Sequence, residues 1–406
     1  MDSALGMFAV SGAVLAVALV TGPLDRPAPR SQPGNETARS TPAHASRGSY
    51  CEDLVEAAIE VVADRHGEAF VRESVGTLRG SADEACAAEP DPPAALRLVL
   101  APVDDPAIRL LAADHFQRML AEWQGRPVPG VGLTEVLSID VDEETHRLTV
   151  ITPVPDSPAE AAGLRAGDVV TRIDGVDTDT LGLSRSMKRL RIPAGESVRL
   201  EVLRDDRPRE VVLAARALPA LEPMTTERIR EGERDVLVLR LRQFTPGVGD
   251  RIREQVHSAP DVDAILLDLR ENPGGLVDEL VAVARVFLEP GSVVARLAGP
   301  EPVTLRIEGE GSPTNVPVAA IVGTGSASAA EALAAALQAN GRATVYGEPT
   351  YGKGLAHDAV PLAEGAWILM LPVGHLETPD GRTVLGTGID PDIRTSNPYT
   401  QALRGL

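Results

Sequence analysis

The sequence predicts a layered α/β core, a mixed sheet with helices, preceded by a β-rich module and a small N-terminal helical region. Three observations carry this expectation. From about residue 221 to 393, short apolar runs alternate with amphipathic ones. Between 129 and 217 the texture is short strands separated by turn signals. From 50 to 128, apolar residues recur at helical spacing instead. At 406 residues the chain is also too long for one compact core.

In the α/β part, residues 236–241 and 264–269 read as strands. The second is nearly all apolar, as a strand buried on both faces should be. Residues 276–288 form an amphipathic helix, 316–322 another buried strand, and 329–340 an Ala-rich helix, and 343–347 open the next strand. In the β-rich module, 148–151 and 169–173 are apolar and β-branched, 198–203 alternates, and 211–213 closes the module. A short helix is expected over 184–190, and 181–183 is ambiguous. In the helical region, Leu54, Ala57, Ala58 and Val61 share a face. A second run, 107–123, places Leu110, Leu111, Phe116, Met119 and Leu120 on another. Pro90, Pro92 and Pro93 separate the two.

Residues 4–22 are an uncharged apolar run of 19. That length fits an export signal or a short membrane anchor, with a buried core helix as the alternative. A positive n-region is missing, because Asp2 is the only charge before the run. The A-x-A triplets at 16–18 and 43–45 are poorly placed for cleavage. Residues 23–49, rich in Pro, Ser, Thr and Arg, read as a flexible linker. The domain boundaries expected are therefore 1–22, 23–49, 50–128, 129–217 and 218–398. An extracytoplasmic location follows from the export reading, as does membrane association through the first segment. An exported chain would join its two cysteines, Cys51 and Cys86, in a disulfide. Two free thiols are the alternative. A net charge of −20 argues against nucleic-acid partners, which need a basic surface.

The chemistry concentrates in three loops. Gly325-Ser326-Ala327-Ser328-Ala329-Ala330-Glu331 joins a buried strand to a helix. Ser328 falls at the helix N-terminus, where free N–H groups and the dipole favour developing negative charge. Simple capping by Ser326 or Ser328 is the bland reading. Lysine occurs only twice, at Lys188 and Lys353, among 39 basic side chains. A Lys amine can shed its proton when buried, whereas a guanidinium effectively cannot. Lys353 is flanked by Gly352 and Gly354, which let the chain pass close to something. An ordinary turn lysine is the alternative. The third loop, residues 268–275, carries Gly274 and Gly275 after a buried strand. Glycines there can aim backbone N–H groups into an oxyanion hole, or simply make a turn. No GxSxG, P-loop, CxxC or HExxH pattern occurs. Of seven histidines only His357 has a comparable setting for a triad. The chemistry therefore needs no metal or other cofactor.

These pieces resemble the carboxyl-terminal processing proteases, a serine-peptidase family with a Ser-Lys dyad and a PDZ domain. The resemblance runs from about 98 to 393. It covers the "DDP" stretch within 103–120, Gly130-Val131-Gly132, and "SPAEAAGLRAGDVVTRIDG" at 157–175. It continues through "LLDLRENPGGLVDE" at 266–279, "GSASAAE" at 325–331, "GEPTYGKG" at 347–354 and "TPDGRTVLGTGIDPDI" at 378–393. Ser328 and Lys353 stand 25 positions apart, as in the family.

The resemblance implies an α/β protease core, with Ser328 as nucleophile and Lys353 as general base. It implies an oxyanion hole from the amide of Ala329 and a glycine of the Gly274-Gly275 pair. The PDZ loop Gly130, Val131, Gly132, Leu133 would take a substrate's C-terminal carboxylate, and the next strand would pair with the peptide. Leu133 and the 184–190 helix would shape an apolar pocket. The expected partners are proteins or peptides with exposed C-termini, with a further oligomer or adaptor left open. Two positions depart from the family. His357 stands where a Gln usually orients the dyad, and an imidazole there can substitute while adding pH sensitivity. Ala330 replaces a frequent Ser. A non-catalytic PDZ-containing adaptor is the alternative function, and a triad hydrolase using His357 a third.

Overall fold

A computed structural model describes residues 47–406 except 66–77, 79, 90, 102–107, 127–129, 135–138, 142–146, 219, 300–301 and 310–312. The expected signal or anchor at 1–22 lies outside the described residues, as does all but the end of the 23–49 linker. Among the described residues no helix is long and apolar enough to cross a membrane.

In chain order the structure opens with α1 (Arg47–Arg65), α2 (Ala82–Ala88), α3 (Pro92–Val99), β1 (Arg109–Ala112) and α4 (Ala113–Trp123). The β-rich module follows: β2 (Ile139–Val141), β3 (Leu148–Val150), α5 (Pro158–Ala161), β4 (Val169–Ile173), β5 (Val176–Asp177), α6 (Thr178–Leu190), β6 (Ser197–Arg204) and β7 (Arg207–Ala214). The α/β core then runs β8 (Met224–Glu231), β9 (Arg234–Leu241), α7 (Val248–His257), β10 (Ala264–Asp268), α8 (Val277–Phe287), β11 (Val293–Ala298), β12 (Val303–Arg306), β13 (Val318–Val322), α9 (Ala329–Ala339) and β14 (Ala343–Gly347). The last elements are β15 (Leu355–Leu362), β16 (Trp367–Glu377), β17 (Ile393–Arg394) and α10 (Pro398–Gly405).

The described residues form two compact units: those of 47–113 with 357–373, and those of 114–356 with 374–406. In the first, Leu54, Val55, Ala58, Ile59 and Val62 of α1 are buried at helical spacing. They pack with α2, α3, Leu110, Leu369 and Leu371. A disulfide joins Cys51 on α1 to Cys86 on α2. The run expected as a helix over 107–123 is divided. Leu110 and Leu111 lie on β1, paired antiparallel with Leu369 and Ile368 of β16, and only the part from Ala113 is helical. Pairing with a strand far along the chain outweighs the local periodicity.

In the second unit, the β-rich module is an antiparallel sheet in the order β2-β3-β4-β6-β7. Helix α6 packs on β4 and is longer than expected. Asp177 accepts a bond from the amide of Asp179 at 3.0 Å and caps the helix at Thr178, ahead of the ambiguous 181–183. Asp168, fully buried, receives Nε and Nη2 of Arg204, each at 2.6 Å. The core sheet runs β17-β14-β13-β10-β9-β8, all parallel except β8. Its central strands β9, β10 and β13 are buried on both faces, while the edge strands β8 and β17 are largely exposed. Leu237, Leu239, Ile265, Leu267, Val318 and Ala320 face a cluster with α7, α8 and α9. Val236, Val238, Leu266 and Ile321 face α10.

Candidate active site

Strands β10, β13 and β14 are adjacent and parallel, so their carboxyl ends deliver three loops to one edge of the sheet, where open α/β sheets bind ligands. These are the three loops singled out in the sequence. The middle one, 323–328, is tied to both neighbours. The amide of Ala327 donates to the carbonyl of Asn272 at 2.9 Å, and the amide of Tyr351 donates to that of Ser326 at 3.0 Å. The buried hydroxyl of Ser326 donates to the Leu269 carbonyl at 2.7 Å and accepts from the Gly323 amide at 3.1 Å. Ser326 is therefore a staple inside the loop.

Ser328 follows with φ 53° and ψ −116°, a conformation normally left to glycine. It stands at the N-cap of α9 and forms a capping box with Glu331, whose carboxylate accepts from the Ser328 amide. Strain of this kind persists only where the surroundings hold it. Here the holder is Glu331. This fully buried carboxylate accepts from the amides of Ser328 (2.8 Å) and Lys353 (2.9 Å) on Oε2. On Oε1 it accepts from the Thr350 hydroxyl (2.5 Å) and the Gly352 amide (2.7 Å). Burial pushes the Glu331 carboxyl up to about 7 against the pull of these bonds. The sequence reading assigned Glu331 no role, although Ser328-x-x-Glu331 has the spacing of a capping box.

Lys353 is half-buried on the loop after β14. A Cβ on Gly352, at φ 93°, would stand 3.1 Å from the backbone of Gly386. One on Gly354 would stand 2.5 Å from the Leu385 amide. What the flanking glycines pass close to is thus the segment 385–388. His357 falls in the first unit, half-buried on β15.

Gly274 and Gly275 separate into different roles. Gly274, at φ 107°, donates its amide to Oδ1 of Asn272 at 2.8 Å. A Cβ there would lie 2.8 Å from Cβ of Ser328 and 3.1 Å from the Ala329 amide, so only glycine allows the approach. The Gly274 carbonyl accepts from the Phe244 amide at 3.0 Å. Across a trans peptide the following N–H points the opposite way, so that of Gly275 is directed away from Phe244. The amides of Gly275 and Ala329 donate to no acceptor among the described residues. Below this loop Asp268 is held by Arg270 Nη2 at 2.7 Å and Arg240 Nε at 3.1 Å. Burial would raise its carboxyl, but the bond and charge of Arg270, aided by Arg240, hold it below the usual range.

In the β-rich module, Gly130 and Arg216 exchange both backbone bonds, at 3.0 and 3.1 Å. The carbonyls of Val131 and Gly132 accept from Ala159 and Val154, both at 2.9 Å. A Cβ on Gly132, at φ 84°, would run into the Ser157 side chain. The amides of Val131, Gly132 and Leu133 donate to no acceptor among the described residues, leaving three successive N–H groups. Leu133 is buried with Leu181, Met187 and Leu190 of α6.

Comparison with known proteins agrees with this architecture. Residues 235–395 match the model of Peptidase family S41, and 149–204 match a PDZ domain. A carboxyl-terminal-processing protease of Synechocystis sp. is 36% identical over 313 residues, 75% of this chain and 71% of that protein. The chloroplastic carboxyl-terminal-processing peptidase 2 of Arabidopsis thaliana is 32% identical, over 73% of this chain and 59% of its own. The solved structure of a photosystem II D1 C-terminal processing protease has a TM-score of 0.73 at 26% identity, covering 87% of this chain and 96% of that one. With a relative this similar over most of both lengths, and the fold to match, the chain belongs to the carboxyl-terminal-processing proteases, PDZ-containing serine peptidases of family S41.

Proposed function

We propose that this chain is an active endopeptidase that cuts proteins from flexible C-terminal ends, with Ser328 as nucleophile and Lys353 as general base. The observation that carries the reading is the Glu331 carboxylate, which joins the amides of Ser328 and Lys353 and so fixes the two loops against each other. The strained backbone of Ser328, at the N-terminus of α9, supports the same role.

In the first step Lys353, unprotonated, takes the Ser328 proton as Oγ attacks the scissile carbonyl carbon. The oxyanion is received by the amides of Gly275 and Ala329, reinforced by the N-terminus of α9. As the tetrahedral intermediate collapses, the C–N bond breaks and the amine leaves with the proton from Lys353. Lys353, neutral again, takes a proton from water as the water attacks the acyl-enzyme, and returns it to Oγ of Ser328 as the carboxylic acid is released.

The three N–H groups at Val131, Gly132 and Leu133 suit a substrate's terminal carboxylate, and the apolar side chains of Leu133 and α6 would receive its last side chain. Substrate binding there would shift the enzyme toward its working state. The Cys51–Cys86 disulfide supports an oxidising, extracytoplasmic location, with the 1–22 segment as export signal or anchor. The test is cleavage of an unfolded reporter with an apolar C-terminus by residues 47–406 and by Ser328→Ala and Lys353→Ala variants. Loss of turnover in both variants is expected. Turnover retained by Ser328→Ala would overturn the assignment, and a wild type that binds the reporter without cutting it would favour the adaptor reading.

A further inference from the structure

We infer that Asn272 is a positioning residue for the oxyanion hole, fixing the peptide that presents the Gly275 amide. The inference rests on the reading of Ser328 as nucleophile.

Asn272 has no exposed surface and all its bonds are made to the backbone around the site. Its Nδ2 donates to the carbonyl of Leu241, the last residue of β9, at 3.0 Å. Its Oδ1 accepts from the Gly274 amide at 2.8 Å, and its own carbonyl accepts from Ala327, next to the nucleophile, at 2.9 Å. One residue thus ties together three segments: its side chain holds the end of β9 and the glycine pair, and its backbone carbonyl holds the Ser328 loop.

The consequence lies in what two adjacent glycines would otherwise do. A Gly-Gly peptide is the least restrained in the chain, because neither residue has a Cβ to block rotation. Turned over, it would present the Gly274 carbonyl, not the Gly275 N–H, to the developing negative charge. One bond opposes that rotation directly, and a second fixes the preceding peptide about which it would turn. The Gly274 carbonyl is held by the Phe244 amide, and Phe244 lies three residues beyond the Leu241 carbonyl that Asn272 grips. The Gly274 amide is held by Asn272 directly. The carboxamide therefore anchors the two segments that meet in the Phe244–Gly275 bridge, one at Leu241 and the other at Gly274. It also occupies the Gly274 donor, leaving Gly275 and Ala329 as the pair that receives the oxyanion. A carboxylate could replace only one half of this arrangement, since it accepts from Gly274 but cannot donate to Leu241.

The experiment compares wild type, Asn272→Asp, Asn272→Ala and Ser328→Ala in steady-state cleavage of the unfolded reporter. It adds two binding measurements: a peptidyl aldehyde, whose adduct carries a tetrahedral oxyanion, and a product peptide with a free C-terminus. Removing one oxyanion donor typically costs ~10²–10³ in kcat. Asn272→Ala is expected to lose about 100-fold in kcat with KM within threefold. Aldehyde affinity should fall in parallel and product-peptide affinity stay unchanged. Asn272→Asp should lose less, but in the same pattern. A folded variant with wild-type kcat, or one whose aldehyde and product affinities fall together, would overturn the inference. Should Asn272→Ala not fold, the same criteria applied to Asn272→Asp decide the matter. Full activity in Ser328→Ala would instead remove the underlying nucleophile assignment, so the two failures are distinguishable.

Discussion

Glu331 and Lys353 are joined by a 2.9 Å bond from the lysine's amide to the carboxylate, and the same Oε2 also holds the amide of Ser328. The acid thus grips the backbone of both proposed dyad members. Its other oxygen holds Thr350 and Gly352. Glu331→Gln keeps the shape but turns one of the two acceptor ends into a donor facing donors. A buried group left without its partner costs about 1–3 kcal/mol, more when a charge is involved. The variant should melt lower and lose at least about tenfold in kcat, since loop misplacement is penalised steeply. Thermal denaturation and steady-state kinetics on one preparation check both.

The same carboxyl gives opposite pH trends for stability and activity. Its folded value, about 7, lies above the 4.5 of an ordinary glutamate carboxyl. Below 4.5 it is protonated folded or unfolded. Between 4.5 and 7 the unfolded state releases the proton first, so its contribution to stability is lost as pH rises through this window and stays lost above it. The shift corresponds to about 3 kcal/mol. The ionised form, however, is the one that can accept all four donors, so activity should rise toward and past pH 7. Urea midpoints and kcat from pH 5 to 8 test this, with Glu331→Gln flattening both contributions.

Gly274→Ala should be nearly inactive. The added methyl would lie 2.8 Å from Cβ of Ser328, against backbone at φ 107° that favours glycine. The loss should appear in kcat, with peptide binding by the isolated C-terminal ligand unchanged. A kcat within threefold of wild type would contradict the packing described.

Much of this was legible in the sequence, and what was not has common causes. The all-apolar β10 and β13 announce themselves because a strand covered on both faces has no polar positions to place. Ser328, Lys353 and the glycine pair stand out by residue type. Glu331 did not, because three of its four partners are backbone amides, which every residue but proline carries, and two of those lie 21 and 22 positions away. The distinction between Gly274 and Gly275 was hidden for the same reason: it is the direction of a peptide plane. Strand β1 was hidden because Leu110 and Leu111 fit a helical face as well as an extended one, and only β16 decides between them.

His357→Gln should leave the fold intact, since the position lies half-buried on β15. Retained activity with a wider pH range is expected for a residue that tunes the site. Circular dichroism and a pH–rate profile are the measurements, and complete loss of turnover would make the imidazole indispensable.

Opening the Cys51–Cys86 bond should loosen the first unit. The bridge spans 35 positions, and chain-entropy arguments give about 3–4 kcal/mol for a loop of that size. Melting with and without reductant, and of a Cys51→Ser, Cys86→Ser double variant, should show the loss. Equal stability in all three would mean the buried helix contacts suffice.

The first unit also has a timetable. Its helices are made early and its last strands late: the hydroxyl of Tyr50 accepts from the Trp367 indole across 317 positions. At about 5–20 residues per second, the helices wait roughly 15–60 s for the residues that cover them. Cys51 and Cys86 are both present from the start of that interval. The bridge can therefore shorten the search before the distant contacts form, and a chain that stops before residue 357 would leave the apolar faces of Leu54, Ile59 and Leu96 without the Leu369 and Leu371 they are made to meet.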